Sequence, residues 1–358
     1  MTTLLLDLPT TAHAQEATAD VGFAVVNFNT AEQTLRCVRS LAACTPPPAW
    51  ITVLDNASHP SDLTRLKNGL QAAPHSRIRL WGSPVNLGFA AGCNLLIADL
   101  LREPDCTCVG LLNNDAVALP GLVALLRDAV QQGHDAARPI GLAGARMHRL
   151  HAPDEVDTLG ITLYASLMPA DRKDTQDSFL GPTGGCCLAT RMLLDDLRSS
   201  SGYWFDERFF CYCEDTDLVL RAVLLGYQPT YVDTLGALHE GQASARHAAS
   251  DFIAYHGLRN TIWMHAKLVP GLVLLRHLPW LVLAHMLTLG RQTLAGRFST
   301  MCRVYRDALH GLTTFLRERR RIHAARRISA AQLRARLAPG FYRRGYLRQV
   351  LRELFSRY

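Results

Sequence analysis

Asn113, Asn114 and Asp115 follow directly on a short apolar run, residues 109–112. Such a run predicts a buried strand, and this one ends in two carboxamides and a carboxylate. Ligands of open α/β sheets bind outside the carboxyl ends of the strands. A carboxylate flanked by amide oxygens at that edge suits a hard divalent cation that keeps waters for a substrate phosphate. The alternative is a turn in which Asn and Asp serve only local hydrogen bonds.

A second group of acids, Glu214, Asp215 and Asp217, precedes a segment whose leucines and valines recur at helical spacing. Acids in the first turn stabilise a helix against its dipole, so capping is one interpretation. The other is catalytic, because a carboxylate can act as a general base and neighbouring like charges raise its pKa toward neutrality. Arg221, four residues after Asp217, is placed to pair with it.

The elements that would position these residues alternate along the chain. Apolar runs at residues 21–28, 51–54, 78–81 and 109–112 predict strands, and the segments 31–41, 63–70 and 94–101 between them predict helices. This alternation predicts a parallel, doubly wound α/β sheet. A nucleotide site would be built from the polar residues that end or follow the first three strands, which are Asn27, Asn29, Asp55, Asn56, Asn86 and Gly88.

The middle of the chain is less regular. Residues 140–145 predict a strand, and the polar residues 146–180 a loop region on the acceptor side of an enzyme site. A glycine-rich turn holds Gly184 and Gly185 and leads into a small strand. An aromatic segment, residues 202–210, then precedes the acids, and a short strand at 231–232 precedes His239.

Absent motifs narrow the function. No G-x-G-x-x-G follows the first strand and no G-x-x-x-x-G-K-[ST] occurs, which disfavours a dehydrogenase and a P-loop NTPase. The 10 cysteines show no C-x-x-C and no zinc-site spacing, so we interpret them as small buried hydrophobic residues of a reducing compartment. With 48% hydrophobic and 19% charged residues, the chain can form a sizeable core.

Eight short motifs stand in order along the chain. They are Asn27-Phe28-Asn29, Val53-Leu54-Asp55-Asn56-Ala57-Ser58, Asn86-Leu87-Gly88-Phe89-Ala90, Leu112-Asn113-Asn114-Asp115, Gly184-Gly185, Phe205-Asp206-Glu207, Glu214-Asp215-x-Asp217 and His239. Together they resemble the family-two glycosyltransferases of the GT-A fold, most of all the bacterial rhamnosyltransferase-like branch. The resemblance covers about residues 20–265. It implies a mixed, mostly parallel sheet flanked by helices, and an inverting sugar transfer. The Q-x-x-R-W of processive synthases is absent, so a single transfer per encounter is expected.

The resemblance implies a donor site for a dTDP- or UDP-sugar. Asp55 would accept a hydrogen bond from the imide N–H of uracil or thymine, and Asn29 and the Asn86 loop would line the base and ribose. The full nucleotide-sugar set is Asn27, Asn29, Asp55, Asn56, Asn86, Gly88, Asn113 and Asn114. Asp115 would bind Mg²⁺ or Mn²⁺. Because Asn113 and Asn114 replace the earlier acids of the family motif, His239 becomes a second metal ligand, which weakly favours Mn²⁺.

The same resemblance makes Asp215 the general base that takes the acceptor proton. The residues expected to support the acceptor are Gly184, Gly185, Trp204, Glu214 and Asp217. Trp204 could stack on the acceptor or pack in the core, and Asp217 is expected to cap its helix.

The C-terminal third combines an apolar stretch with a basic tail. Residues 268–290 are apolar but interrupted by Pro270, Arg276-His277, Pro279 and His285, which predicts a helical hairpin lying in the membrane interface with Trp280 at the headgroups. A buried helix pair or a contact in a homo-oligomer is the alternative. From Arg297 onward there are 16 Lys and Arg against 3 acids, which predicts contact with an anionic membrane surface. No nucleic-acid-binding motif accompanies these arginines.

These patterns divide the chain into a loose leader (residues 1–20), a GT-A domain (21–265) and a helical, basic, membrane-associating region (266–358). We expect a cytoplasmic protein, peripheral on the inner face of the plasma membrane. Its expected reaction is transfer of a sugar, rhamnose among the candidates, to a lipid- or glycan-linked acceptor in surface polysaccharide biosynthesis. The alternative is a catalytically weak GT-A domain that acts as a membrane-bound scaffold. A nucleotidyltransferase is disfavoured, since no Lys/Arg-rich glycine loop follows the first strand.

Overall fold

The computed structural model describes residues 3–6, 8, 18–73, 77–132, 139–241 and 248–346. The strands are β1 (Leu4–Leu6), β2 (Thr18–Asn27), β3 (Pro48–Asn56), β4 (Ile78–Ser83), β5 (Cys108–Leu112), β6 (Ala116–Ala118), β7 (Ile140–Arg149), β8 (Ala152–Thr158), β9 (Ile161–Leu163), β10 (Pro169–Asp171), β11 (Cys186–Thr190) and β12 (Gln228–His239). The helices are α1 (Ala31–Ala42), α2 (Pro60–Gln71), α3 (Gly88–Leu100), α4 (Leu122–Gln131), α5 (Arg191–Ser201), α6 (Glu214–Leu224), α7 (Ala248–Leu268), α8 (Gly271–Leu294), α9 (Phe298–Ala324) and α10 (Ala330–Arg334).

One mixed sheet forms the centre of the described residues. Its strand order is β1-β4-β3-β2-β5-β11-β7-β12-β6, and β8 pairs with β7. β4, β3, β2 and β5 run parallel, as predicted, whereas β11 is antiparallel to both of its neighbours. Asn27 faces Asp55 across β2 and β3, and Leu112 of β5 faces Cys186 of β11. The predicted polar residues therefore meet at one edge of the sheet.

The sheet is buried on both faces because its parallel strands are apolar on both sides. On one face α1, α2 and α4 pack on Phe23, Val25 and Ile51. On the other, α3, α5, α6 and the C-terminal helices pack on Ala24 and Leu54. All 10 cysteines are free thiols and most are buried, as predicted.

The region predicted as loop, residues 146–180, contains strands instead. β7 continues to Arg149, and β8, β9 and β10 follow within it. β8 was missed because it pairs only with β7 and is mostly exposed, so it has no alternating apolar pattern. β12 has 12 residues where only a short strand was predicted.

The chain termini also differ from the expected division. Within the predicted loose leader, Leu4–Leu6 pairs with β4, and β2 starts at Thr18. Residues 1–2, 7 and 9–17 lie outside the described part, as do the last residues of the basic tail, 347–358. The expected boundary at residue 265 falls inside α7. Phe315 of α9 stacks on Trp263 at 4.7 Å and belongs to the same core as α3 and α6.

α8 is a single helix, so the predicted hairpin is wrong. Pro279 lies inside it. A proline in a helix interior removes one hydrogen bond at a cost of about 3 kcal/mol, but Val273 and Leu281 are buried on either side of it and hold both halves in place. Among the described residues, α8 is the one helix whose length and composition suffice to cross a membrane, with a mean hydropathy of 1.6 and only 17% of its apolar window buried.

Candidate active site

Asp55 ends β3 and is almost fully buried. Its carboxylate accepts hydrogen bonds from Asn27 Nδ2 (3.0 Å) and from the backbone N–H of Ser58 (3.3 Å). Asn27 is completely buried, and its Nδ2 also lies 3.1 Å from Ser58 Oγ and from Asp62 Oδ2. The amide is thus engaged within the protein, which makes Asn27 a support for Asp55, where the sequence predicted contact with a nucleotide.

Asn56 holds the loop that follows β4. Its Nδ2 donates to Asn86 Oδ1 (3.1 Å) and to the carbonyl of Gly88 (3.3 Å), and its Oδ1 accepts from the backbone N–H of Leu87 (2.8 Å). Gly88 has a φ of 79°, and a Cβ there would lie 2.6 Å from the carbonyl oxygen of Phe210. Only glycine fits this approach. The predicted Asn56–Asn86–Gly88 group is therefore one connected unit packed against the segment before α6.

Asn29 is exposed beside this group. It has a left-handed φ of 56°, which Asn tolerates better than most residues. Its backbone N–H donates to Ser58 Oγ (2.8 Å) and its Oδ1 accepts from the N–H of His59 (2.8 Å). These bonds join the loop after β2 to the loop after β3.

Asp115 and His239 meet because β6 pairs antiparallel with β12, which places His239 opposite Ala116. His239 Nε2 lies 3.0 Å from Asp115 Oδ1, and its Nδ1 lies 2.7 Å from Asp157 Oδ2. Asn113 Nδ2 is 3.4 Å from the same Nε2. Asn114 points elsewhere, since its Nδ2 donates to Thr30 Oγ1 (2.6 Å). The structure thus brings together the two predicted metal ligands and adds Asp157, which sequence reasoning missed.

The carboxylates of Asp115 and Asp157 favour a positive charge at His239, which lies between them. Burial lowers the pKa of His239, but its bonds to Asp115 and Asp157 outweigh that effect and raise the pKa to about 10. Burial opposes ionisation of Asp157 too, yet the bond to His239 holds the pKa of Asp157 below its usual value. No group of three or more His, Cys, Asp or Glu side chains in the described residues is arranged to hold a metal ion. A cation here would rely on Asp115, His239 and ligands from the substrate.

Asp215 lies in the first turn of α6 and is held by the glycine turn. Its Oδ2 accepts from the backbone N–H of Gly184 (3.0 Å), and its Oδ1 from the N–H of Thr216 (2.6 Å). The carbonyl of Gly185 accepts from the N–H of Asn113 (2.9 Å), so the same turn connects Asp215 to Asn113, which lies beside His239. Burial raises the pKa of Asp215, these hydrogen bonds oppose the rise, and the charge of Asp171 adds to it.

The two acids beside Asp215 differ from each other. Glu214 is buried, and burial followed by the charge of Asp215 raises its pKa to about 8, so it is protonated at neutral pH. Asp217 is completely buried and bonds to Arg221 Nε (2.8 Å), which confirms the predicted pair. Asp217 also lies 2.7 Å from Lys267 Nζ. Since two cations neutralise Asp217, it is not the source of the raised pKa of Asp215 that the sequence predicted.

Lys267 of α7 ties the C-terminal helices to this region. It is completely buried, and its Nζ lies 2.6 Å from Asp206 and 2.7 Å from Asp217. Buried charges persist only when they are paired, because an unpaired one costs several kcal/mol. Asp206, Asp217, Arg221 and Lys267 therefore depend on one another.

Trp204 packs in the core, which is one of the two roles that the sequence left open. The ring is buried, its Nε1 donates to the carbonyl of Leu194 (3.0 Å), and the guanidinium of Arg198 lies 4.7 Å from the ring centre. A buried tryptophan N–H needs such a partner. The aromatic pattern of residues 202–210 could not distinguish these two roles.

A strained loop leads into α6. Phe210, Tyr212 and Cys213 all have φ between 63° and 70°, and non-glycine residues reach this region at a cost of about 1–3 kcal/mol each. Asn260 of α7, which is fully buried, donates through Nδ2 to the carbonyls of Phe209 (2.9 Å), Cys211 (2.9 Å) and Tyr212 (2.7 Å). Asn260 thus maintains the loop that places Asp215, and nothing in the sequence pattern of α7 marks it.

A cleft of about 1040 Å³ is lined by both groups of acids. Asp115, Asp157 and His239 line it, and so do Glu214 and Asp215. Residues of α7, α8 and the segment 341–346, the C-terminal wall, also line it. The Asp115–His239–Asp157 group and the carboxylate of Asp215, whose pKa is raised, thus share one space with the C-terminal part of the chain.

Known proteins resemble this chain in sequence and in fold. No protein-family model matches the chain. The N-acetylglucosaminyl-diphospho-decaprenol L-rhamnosyltransferase of Mycobacterium tuberculosis (strain CDC 1551 / Oshkosh) is 27% identical over 249 residues, which are 62% of this chain and 76% of that protein.

The solved structure of GalNAc-T7 with UDP, GalNAc and Mn²⁺ superposes with a TM-score of 0.53 and 13% identity over 77% of this chain and 52% of that one. The mannosyltransferase PcManGT from Pyrobaculum calidifontis, in complex with GDP-Man and Mn²⁺, gives a TM-score of 0.49 and 16% identity over 87% and 89%. The likeness to GalNAc-T7 shows the fold, and the predicted resemblance is confirmed. The chain is a glycosyltransferase with the GT-A fold and resembles the rhamnosyltransferase-like branch of family two.

Proposed function

We propose that the protein transfers a sugar, with inversion, from a dTDP- or UDP-sugar to a lipid- or glycan-linked acceptor in surface polysaccharide biosynthesis. The observation that carries the proposal is the shared cleft, in which Asp215 stands near the Asp115–His239 pair. The relative from Mycobacterium tuberculosis is named for transfer of L-rhamnose to a diphosphate-linked lipid. Rhamnose is therefore our first candidate for the donor sugar.

The donor would lie along the edge formed by the loops after β2, β3 and β4. Asp55 would accept the imide N–H of a pyrimidine base, and Asn27 supports its carboxylate through a hydrogen bond. Asn29 and the Asn56–Asn86–Gly88 group would line the base and ribose. Uracil and thymine present a ring N–H between two carbonyls to this carboxylate, whereas adenine and cytosine present no ring N–H on that edge. Guanine also offers a ring N–H, so the comparison of UDP-, dTDP- and GDP-sugars decides between these bases.

Asp115, His239 and Asp157 fit a site for a divalent cation, Mn²⁺ or Mg²⁺. Asp115 offers a carboxylate and His239 an imidazole, while Asp157 fixes the ring from behind through Nδ1. Such a carboxylate–histidine pair is the usual support of a metal-binding histidine. The two side chains leave coordination positions for diphosphate oxygens and water. The cation would neutralise the charge of the departing diphosphate.

Asp215 acts on the acceptor. Its carboxylate takes the proton of the acceptor hydroxyl while the oxygen forms a bond to the anomeric carbon, and the bond from that carbon to the diphosphate breaks on the opposite face. The N–H groups of Gly184 and Thr216 fix the carboxylate. Glu214, neutral at pH 7, adds no second charge to repel the attacking oxygen.

The proposal is tested with purified protein, UDP-, dTDP- and GDP-sugars and a polyprenyl-diphosphate-linked N-acetylglucosamine. We expect transfer from a pyrimidine donor and, by NMR of the product, an anomeric configuration opposite to that of the donor. Retention would refute the inverting mechanism. Nucleotide binding without turnover on any acceptor would support the scaffold alternative.

We further propose that α8 attaches the protein to the inner face of the cytoplasmic membrane. Leu272, Leu275 and Met286 are 76%, 69% and 64% exposed and recur along one side of the helix. An apolar helix face of this kind enters the headgroup boundary of a bilayer, and the arginines of α9 add attraction to anionic lipids.

The combined substitution Leu275→Ser and Met286→Ser is expected to move the protein from the membrane pellet to the supernatant, because it removes apolar area from the inserted face. Flotation with phosphatidylglycerol vesicles measures the change. Met192→Ser on α5 is the matched control, since Met192 is 51% exposed but belongs to a different surface. Equal flotation of the α8 variant and the control would contradict the attachment.

A further inference from the structure

Acidic and basic side chains both line the cleft. Its carboxyl groups are those of Asp115, Asp157, Asp171, Glu214 and Asp215. Every Lys or Arg that lines it in the described part of the chain belongs to the C-terminal wall: Arg291, Arg343 and Arg344. The proposed base therefore shares the cleft with residues suited to a cation and with arginines suited to an anion.

Part of this wall lies outside regular secondary structure: residues 341–344 line the cleft and belong to no helix or strand. The ring of Tyr342 packs on that of Tyr164 at 5.2 Å. Arg344 donates through Nη2 to Gln176 Oε1 (3.0 Å), and Arg343 Nη2 lies 3.8 Å from Asp171 Oδ2. These contacts fix the segment on β10 and the turn that follows it.

Arg343 is linked to the proposed base through Asp171. Its partner Asp171 is near enough to Asp215 for its charge to raise the pKa of that carboxyl. Arg343 and Asp171 are each about half exposed, 43% and 52%, so their ion pair is weak and leaves the guanidinium accessible to a ligand. Guanidinium groups bind phosphate oxygens in pairs, which suits a diphosphate.

Arg291 links this wall to the apolar face of α8. It lines the cleft together with Ala284 and Thr288 of the same helix, while Leu275 and Met286 point to solvent on that helix. A molecule with an anionic group at Arg291 could therefore continue along α8 as a hydrocarbon chain. The donor diphosphate is an unsuitable occupant, because it is drawn to the Asp115–His239 end of the cleft.

We propose that Arg291 and Arg343 bind the phosphate groups that join the acceptor sugar to its lipid. In this arrangement the sugar hydroxyl reaches Asp215, and the hydrocarbon chain of the lipid extends along α8. This inference rests on the proposed function and names its acceptor class: a sugar carried on a lipid diphosphate, rather than a free glycan.

The first test is binding without turnover. Polyprenyl-diphosphate-linked N-acetylglucosamine is presented in phosphatidylcholine vesicles, with no donor, and its affinity is measured for the full chain. Arg291→Gln and Arg343→Gln are each expected to weaken binding about 10-fold, the effect of losing one charge-assisted hydrogen bond. Arg334→Gln is the matched control, because Arg334 is exposed on α10 and does not line the cleft. Unchanged affinity in both cleft variants would overturn the inference.

A second variant separates binding from support of the wall. Asp171→Asn breaks the same ion pair but leaves the guanidinium of Arg343 in place, so affinity for the lipid diphosphate is expected to be retained. An equal loss in Asp171→Asn and Arg343→Gln would show that the pair only holds the segment. Phosphatidylglycerol vesicles without acceptor form a further arm. Weakening confined to that arm would assign the arginines to lipid headgroups and overturn the proposal.

Kinetics distinguish this inference from the proposed function. With the phosphate-bearing acceptor, Arg343→Gln is expected to raise the acceptor KM about 10-fold and to leave the donor KM unchanged. With an alkyl N-acetylglucosaminide, which has no phosphate, the variant and the wild type are expected to be equal. A raised donor KM would place the arginines on the nucleotide. Failure of the proposed function would appear differently, as no transfer by the wild type to either acceptor.

Discussion

Asp215→Asn is expected to lower kcat by about 10²- to 10⁴-fold, the usual contribution of a general base, while nucleotide affinity stays as in the wild type. The amide keeps the shape of the side chain and its oxygen can still accept from Gly184, but it cannot take a proton. Steady-state kinetics and calorimetric titration with UDP or dTDP, run on the same preparations, measure the two effects.

The pH profile adds a second readout. The base works in its deprotonated form, and burial raises its pKa above the ordinary aspartate value. Activity is therefore expected to fall as the pH drops through this raised pKa, and the residual activity of Asp215→Asn should lack that acidic limb.

Glu214→Gln is the matched comparison. Because Glu214 is already neutral at pH 7, with a pKa of about 8, the amide mimics its dominant form and a much smaller loss is expected. If Glu214→Gln abolished transfer and Asp215→Asn did not, Glu214 would be the base.

Asp115→Ala is expected to abolish the metal-dependent part of nucleotide diphosphate binding. The substitution removes the one carboxylate that faces His239 Nε2 and leaves the imidazole alone to hold a cation. Calorimetric titration with UDP, dTDP and GDP, each with and without Mn²⁺, measures the effect. Metal-free affinity should be the same in variant and wild type, because the proposed base and ribose contacts are made by Asp55 and Asn86.

Asp157→Asn provides a graded companion to this variant. It keeps a side chain of the same size at His239 Nδ1 but loses the charge, and loss of such a support weakens metal binding by about 10- to 100-fold. Equal Mn²⁺-dependent binding by the wild type and both variants would contradict a metal site at this position.

The sequence predicts the parallel part of the sheet because each strand there is one continuous apolar segment. Strands β2, β3 and β5 are buried on both faces, so each appears as an apolar run that ends in or is followed by polar residues. The order of the polar motifs places Asp55 at the end of β3, Asp115 just after β5 and Asp215 in the first turn of α6, as the structure has them. Pairing of Asp217 with Arg221 follows from helical spacing alone.

The remainder of the site depends on contacts between distant segments, which no local pattern records. Asp157 lies on an exposed edge strand, Asn260 is a lone amide in an apolar helix, and Lys267 is a buried cation in a chain end that appears basic and solvated. Trp204 fits an acceptor site or a core equally well by composition. The interruptions at Pro270, Arg276-His277, Pro279 and His285 predict a broken segment, but α8 continues because Val273 and Leu281 are buried on either side of Pro279.

The buried contacts of α7 bear on the distance between the membrane and the proposed base, Asp215. Asn260 fastens this helix to the loop before α6, and Lys267 fastens it to Asp206 and Asp217 shortly before α8 begins. With α8 on the surface of a bilayer, these contacts would fix the distance between Asp215 and the lipid. A sugar hydroxyl at that distance from the lipid would be glycosylated. A hydroxyl farther out on a longer glycan would lie beyond the reach of Asp215.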